Sequence, residues 1–341
     1  MIKLLQFMMI TFALVGCTEF ESRFAIDYDD GKKVVTLATS NTIWLGEIGE
    51  NGACATKTIR TKGLPKLVPM QLVNAGSKFD KSIFLFGTES LPRVWHYRGE
   101  NRPSPIPIDA LSIAKYKDGK LFALLSTHQE IEDCGCSFVL AMFDMDNLAD
   151  SQPKWTSTLY CSNGGSNIQF SKNSGVPVVT WNDLPFEIYV IENDVPTPRE
   201  LNLENPSMLL HPLDPMGRQV SIVVSDDLQY LAMSQSSEKQ YVHAIWDLQS
   251  GKNIYLSSGN FVSNHGFRNE CLLTADRICF GEGESLTTFS LLDSSTSQYK
   301  ISANSDFLHA INVEDTSVWV VRSESPYKKF KGIARLEMRR P

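Results

Sequence analysis

The chain has 341 residues, with 32 basic and 39 acidic side chains, a formal charge of −7, and 42% hydrophobic against 21% charged residues. The hydrophobic share supports a packed core and excludes a disordered chain. The acidic balance excludes a nucleic-acid binder, which needs a clustered basic surface.

At the N-terminus, Lys3 precedes an apolar run from Leu4 to Val15, interrupted only by Gln6 and Thr11. The run is too short to span a bilayer as a helix and has the shape of a signal peptide. It ends in Leu14-Val15-Gly16-Cys17, which resembles the lipobox of bacterial lipoproteins. The resemblance implies cleavage before Cys17, diacylglycerol on its sulfur and an acylated amino terminus. Several acyl chains anchor stably where one alone is marginal. The order read from this is a signal peptide at 1–16, lipidated Cys17 with a short tether at 17–23, and one folded domain at 24–341. Thr18 rather than Asp follows the cysteine. In Gram-negative lipoproteins that implies sorting to the outer membrane, facing the periplasm.

Beyond residue 24 one phrase recurs: an apolar strand, a tight turn with Asp or Asn, and a second apolar strand. The turn residues are Asp30, Asp80, Asp118, Asn173, Asp227, Asp276 and Asp315. Their spacing averages roughly 48 residues, the period of blades in a β-propeller. The expected fold is all-β: one propeller of seven four-stranded blades, with six or eight as alternatives.

Blade one runs through Phe24–Asp30, Lys33–Thr39, Thr42–Ile48 and Ala55–Thr61. Blade two centres on Ser82–Phe86 and Arg93–Tyr97. Blade three has Leu111–Tyr116, Lys120–Leu125, Ser137–Phe143 and Trp155–Tyr160, and blade four Ile168–Ser171, Val176–Trp181 and Phe186–Ile191 with a weak outer strand near Leu201. Blade five has Gln219–Val224, Leu228–Met233, Tyr241–Leu248 and Asn253–Leu256. With Asp226-Asp227 after its first strand and Trp246-Asp247 near the end of its third, it resembles the WD40 and TolB-type repeat. Blade six has Cys271–Thr274, Arg277–Phe280, Leu286–Leu291 and Gln298–Ile301. Blade seven has Leu308–Val313, Ser317–Val321 and Gly332–Met338; its fourth strand is to come from residues near Glu19–Arg23. β-branched and aromatic residues dominate these runs.

In such a blade the turns between strands one and two, and three and four, share one face. Here they are short and rich in Asp and Gly, as two-to-four-residue hairpins require. The other face takes the long connections Gly63–Val68, Glu89–Pro92, Thr127–Gly135, Pro206–Gly217, Ser236–Gln240, Gly259–Glu270 and Ser323–Lys329. Long loops in a compact domain tend to carry function, so recognition is expected on this long-loop face.

Besides Cys17 there are six cysteines, at 54, 134, 136, 161, 271 and 279. An even count in an exported chain favours disulfides. Cys136 starts one strand and Cys161 ends its neighbour, so a Cys136–Cys161 bridge, or its Cys134 alternative, pins the Thr127–Gly135 loop. A zinc site is disfavoured, because Cys134 and Cys136 are one residue apart and no second pair is near.

No G-x-S-x-G, H-E-x-x-H or P-loop lysine occurs, the six histidines are scattered singly, and neither catalytic residue nor cofactor is assigned. His96 and His243 read as structural strand residues. The residues offered to a partner are His128, Glu130 and Glu132 in the acidic loop, Phe186, His265, Phe267 and Arg268, and Tyr327, Lys328 and Lys329. They mix apolar, aromatic and charged side chains as protein interfaces do. The basic run Lys328–Arg340 also suits anionic lipid head groups. The leading reading is a non-enzymatic, membrane-tethered module that binds an envelope protein. The alternatives are an immunity lipoprotein that neutralises a periplasm-acting toxin, such as a lipase effector, and a propeller hydrolase.

Overall fold

A computed structural model describes residues 20–29, 34–39, 42–49, 52–60, 68–74, 82–87, 93–97, 104–106, 108–117, 119–127, 137–145, 148, 152–161, 166–172, 174–181, 184–206, 219–236, 240–260, 265–274, 276–325 and 328–340. Every regular element there is a β-strand, and no helix among the described residues is long and apolar enough to cross a membrane.

Strands that follow one another in the chain pair antiparallel wherever they pair within a sheet. β1 (Phe20–Asp29), β2 (Val34–Thr39), β3 (Thr42–Gly49) and β4 (Gly52–Arg60) are consecutive neighbours. A separate sheet holds β5 (Val68–Asn74), β6 (Ser82–Gly87), β7 (Arg93–Tyr97) and β8 (Ser104–Ile106). The next holds β9 (Ala110–Tyr116), β10 (Lys120–Ser126) and β11 (Ser137–Asp144), with β12 (Trp155–Thr156) and β13 (Tyr160–Cys161) both paired to β11. Two more sheets are β14 (Ser166–Phe170), β15 (Pro177–Trp181), β16 (Leu184–Glu192) and β17 (Val195–Glu200), then β18 (Gln219–Val224), β19 (Tyr230–Ser236), β20 (Gln240–Asp247) and β21 (Asn253–Asn260). β22 (Gly266–Leu273), β23 (Arg277–Gly283), β24 (Ser285–Ser290) and β25 (Thr296–Lys300) follow, then β26 (Phe307–Val313), β27 (Ser317–Ser325) and β28 (Lys328–Glu337).

The two chain ends meet. β28 pairs with β1 through Phe20↔Phe330 and Arg23↔Lys328, while Phe24 to Asp29 of the same strand pair with β2. β1 therefore serves two sheets, and Glu19–Arg23 was the right neighbourhood for the missing strand. β1 starts at Phe20, so residues 20–23, four of the seven in the expected tether at 17–23, lie in this strand.

Apolar clusters sit between successive sheets. Val35, Leu37, Trp319 and Val321 join β2 to β27, and Leu272, Leu286, Leu308 and Val318 join the β22–β25 strands to β26 and β27. Val223, Ile245, Ile278 and Phe280 join the β18–β21 sheet to β23. The largest cluster runs through Phe138, Ile188, Ile222 and Trp246, spanning three sheets. β18 is buried on both faces, with Ile222 and Val224 in one cluster and Val223 in another, which explains a run without polar alternation.

The Asp turns are built by their side chains. Asp227 Oδ1 accepts the Ser225 hydroxyl at 2.6 Å and the Gln229 N–H at 3.0 Å. Asp247 Oδ1 accepts the Ser250 N–H at 2.6 Å. Its neighbour Trp246 is buried and donates Nε1–H to the Glu204 carbonyl at 3.0 Å. Arg277 spans two turns, reaching Asp276 Oδ2 at 2.8 Å and Asp315 Oδ1 at 2.9 Å. Asp30, Asp80, Asp118 and Asn173 lie outside the described residues.

Candidate functional site

The ends of the acidic loop are held together at its base. The Thr127 N–H donates to the Ser137 carbonyl at 3.2 Å, and the Thr127 and Ser137 hydroxyls touch. Antiparallel pairing sets Ser137 opposite Cys161 and Phe138 opposite Tyr160. Cys161 is disulfide-bonded. Cys54 falls in β4 with its side chain outside the described ones, and Cys17, Cys134, Cys136, His128, Glu130, Glu132 and Tyr327 lie outside the described residues.

Beside this base the β11–β13 strands meet β16 in an aromatic cluster. Tyr160 stacks on Phe138 with centroids 5.7 Å apart, and Trp155 meets Tyr189 edge-on at 5.6 Å. The Tyr160 and Tyr189 hydroxyls are 2.5 Å apart. Burial pushes both phenols above their ordinary range. It also raises the Glu187 carboxyl; the Tyr160 hydroxyl opposes that shift and Glu200 adds to it. Phe186 is half-buried and rests on the core. Trp181, at the end of β15, is 48% exposed. A large aromatic left open on the sheet that also carries Tyr189 and the half-buried Glu187 has the composition of an interface centre.

The second expected cluster is altered by the strands. β21 reaches Asn260 and β22 starts at Gly266, while β27 and β28 leave only residues 326–327 between them. Two connections expected to be long are thus mostly sheet. Phe267 is the clear correction: it is fully buried, and an ideal Cβ on Gly281 would lie 2.6 Å from its ring. The inward pleat of β22 takes it into the core, so it cannot meet a partner. Arg268 and Lys328 also fall in strands, and their side chains lie outside the described ones.

His265 is partly exposed, with Nε2 3.6 Å from Glu284 Oε1. Lys329 pairs with Glu324 at 2.9 Å, and both are exposed, so the pair contributes little. Lys331 reaches the buried Asp306 at 2.6 Å, Arg322 joins it there, and Arg335 binds Glu314. Arg339 lies 3.8 Å from Glu337. Lys329, Lys331, Arg335 and Arg339 of this run are thus each close to an acid of the same chain, and Arg340 is exposed.

Sequence reasoning missed one constellation. Ser234, His243 and Glu282 come from three strands of two sheets. The Ser234 hydroxyl is 2.8 Å from His243 Nδ1, and His243 Nε2 is 4.0 Å from Glu282 Oε2. The imidazole lies between Tyr241 and Phe280, stacked at 4.7 and 4.6 Å. Burial lowers the His243 pKa to about 3 and raises that of Glu282 to about 8. Both Glu282 carboxylate oxygens are buried without a hydrogen-bond partner. The residue types are those of a hydrolytic triad, but Ser234 is completely buried and cannot reach a substrate. No sequence spacing signals the group, since Glu282 is 39 residues from His243 and joins it only when two sheets pack. Among the described residues no three His, Cys, Asp or Glu side chains are grouped to hold a metal ion.

No known protein family matches the sequence, and no curated protein does. Solved structures do. Kluyveromyces lactis Hsv2p aligns over 88% of this chain and 89% of its own at 10% identity, with a TM-score of 0.52. A form of KlHsv2 with loop 6CD replaced by a Gly-Ser linker aligns over 89% and 90% at 12% identity and 0.51. The fold is a WD40-like β-propeller. An acylaminoacyl peptidase in complex with Z-Gly-Gly-Phe-chloromethyl ketone also aligns, over 93% of this chain but 52% of that one, at 11% identity and 0.51. At these identities the likenesses speak for the fold alone.

Proposed function

We propose that the chain is a lipid-anchored envelope protein that binds a protein partner through the long-loop face of a seven-bladed propeller. The observation that carries this reading is the aromatic junction of β11, β13 and β16, together with the exposed Trp181 at the end of β15 in the same sheet as β16. Rigid aromatic side chains at a stapled loop base give a recognition surface a fixed shape. His128, Glu130, Glu132 and Phe186 would frame the contact, with His265, Arg268, Tyr327, Lys328 and Lys329 across the same face. Seven blades follow if β22–β25 form one, and β26–β28 with the first residues of β1 form the next. Cys136–Cys161 is the proposed bridge, supported by the Ser137↔Cys161 register beside it. The Leu14–Cys17 motif supports the anchor, and Thr18 supports the outer membrane.

The test is a cross-linked pull-down from detergent-solubilised envelopes, run with the unchanged chain and with His128, Glu130, Glu132 and Trp181 changed to Ala. One partner recovered with the first and lost with the second is expected. Equal recovery rejects this face. Labelled-palmitate uptake that does not depend on Cys17 rejects the anchor.

A further inference from the structure

The outermost strand of a sheet exposes unpaired backbone N–H and C=O groups. Folded chains blunt such edges with proline, charge, shortness or a cover. Most edges of this ring are treated in that way. β4 carries Lys57 and Arg60, β8 is three residues long and contains Pro105, and β12 and β13 have two residues each. β17 contains Pro196, Pro198, Arg199 and Glu200. β25 ends at Lys300, which exchanges backbone hydrogen bonds with Arg339.

Among the described residues β21 shows none of these devices. Its sequence is NIYLSSGN, eight residues without proline or charge, outermost in its sheet. Its side chains alternate regularly between half-buried and exposed. Tyr255 turns inward and stacks on Phe280, while Ile254 and Leu256 on the other side are 38% and 43% exposed. β20 bonds it on one side, and among the described residues no backbone group bonds it on the other.

We propose that β21 is a docking edge for an extended, uncharged segment of a partner polypeptide, which adds as a further strand. Main-chain hydrogen bonds would hold the segment, and its alternate apolar side chains would cover Ile254 and Leu256. Area argues against a second copy of this chain as the occupant. Eight residues at about 3.4 Å, across a sheet about 10 Å thick, give about 270 Å² per copy and about 540 Å² in all. That is less than half of the roughly 1,200 Å² at which stable protein interfaces begin. A single peptide is not held off by a second rigid ring and can fold down over the edge. Its neutrality follows from the exposed row Ile254, Leu256, Ser258 and Asn260, which offers no charge to pair. The edge lies on the perimeter of the ring, so this interface stands independently of the long-loop face.

The experiment selects a phage library of random twelve-residue peptides on the full chain and measures the enriched peptide by fluorescence anisotropy. Peptides of low charge with alternating apolar residues are expected. The double variant Ile254→Lys/Leu256→Lys should weaken binding at least tenfold with an unchanged melting temperature, while Val195→Lys on the β17 edge should not weaken it. Hydrogen exchange on the unchanged chain should show added protection within 253–260 when the peptide is bound, a readout that needs no variant. No enrichment, binding indifferent to the double variant, or protection elsewhere overturns the proposal. So does concentration-dependent dimerisation in sedimentation equilibrium that the double variant abolishes.

Discussion

Replacing Glu282 with Gln should change how stability depends on pH, because this carboxyl is buried without a hydrogen-bond partner. Its pKa is raised from 4.5 to about 8 by burial. Between those values the folded chain holds a proton that the unfolded chain has lost. Stability therefore falls as pH rises through that window. The span is about 3.5 units, and each unit corresponds to about 1.36 kcal/mol, so the ceiling is about 5 kcal/mol above pH 8. His243 acts in the opposite sense. Burial lowers its pKa from 6.5 to about 3, so it contributes stability that is lost as pH falls below 6.5. Between pH 4.5 and 6.5 the two slopes oppose each other, and above 6.5 the carboxyl acts alone. Urea unfolding of the parent and Glu282→Gln at intervals from pH 5 to 9 reads the difference directly. The variant should gain several kcal/mol relative to the parent between pH 5 and 9. Parallel curves would show that Glu282 titrates normally, and would refute the reasoning.

Other outcomes follow from the same geometry. Cys271 and Cys279 are buried and not bridged by a disulfide, burial pushes the Cys279 thiol up to about 12, and native protein should label at neither until urea is added. Gly266→Ala should cost about 3 kcal/mol in urea unfolding, since φ is +86° and a Cβ would sit 2.1 Å from the Gly283 carbonyl oxygen. A neutral ΔΔG there would mean that β22 can shift away from β23. A Tyr160→Phe, Tyr189→Phe double-mutant cycle should give a coupling of about 1 kcal/mol from the hydroxyl contact. Additive losses would show that the two hydroxyls are not bonded to each other. Arg277→Met should cost no more than about 1 kcal/mol, because its partner Asp315 is exposed. A larger loss by thermal melting would mean that the two turns are coupled through more than this ion pair.

The strand pattern was legible in the chain. The Asp turns fixed where hairpins close, because an Asp side chain bonds the backbone two residues on, a local act that needs no distant partner. Asp227 does this in the fold, and Asp247 bonds the N–H three residues on. The repeat period likewise announced a propeller, which the structural likenesses support. The cysteines were misjudged where pairing depends on facing. Cys271 stands opposite Phe280 and Cys279 opposite Leu272, so the two thiols point to opposite sides of the sheet and pack in different clusters.

What the sequence determined alone was local: strands, turns and the order in which they alternate. Only the tertiary structure decided which side chains remain available. Phe267 was drawn into the core because β22 begins earlier than composition suggests, and its inward pleat faces Gly281. Lys331 and Arg335 were matched by Asp306 and Glu314, which stand at the two ends of β26. Glu282 and His243 became neighbours because two sheets pack face to face, and β21 stayed bare because its sheet ends there. Contacts between sheets depend on which residues oppose each other across the ring, and a linear repeat carries no record of that opposition.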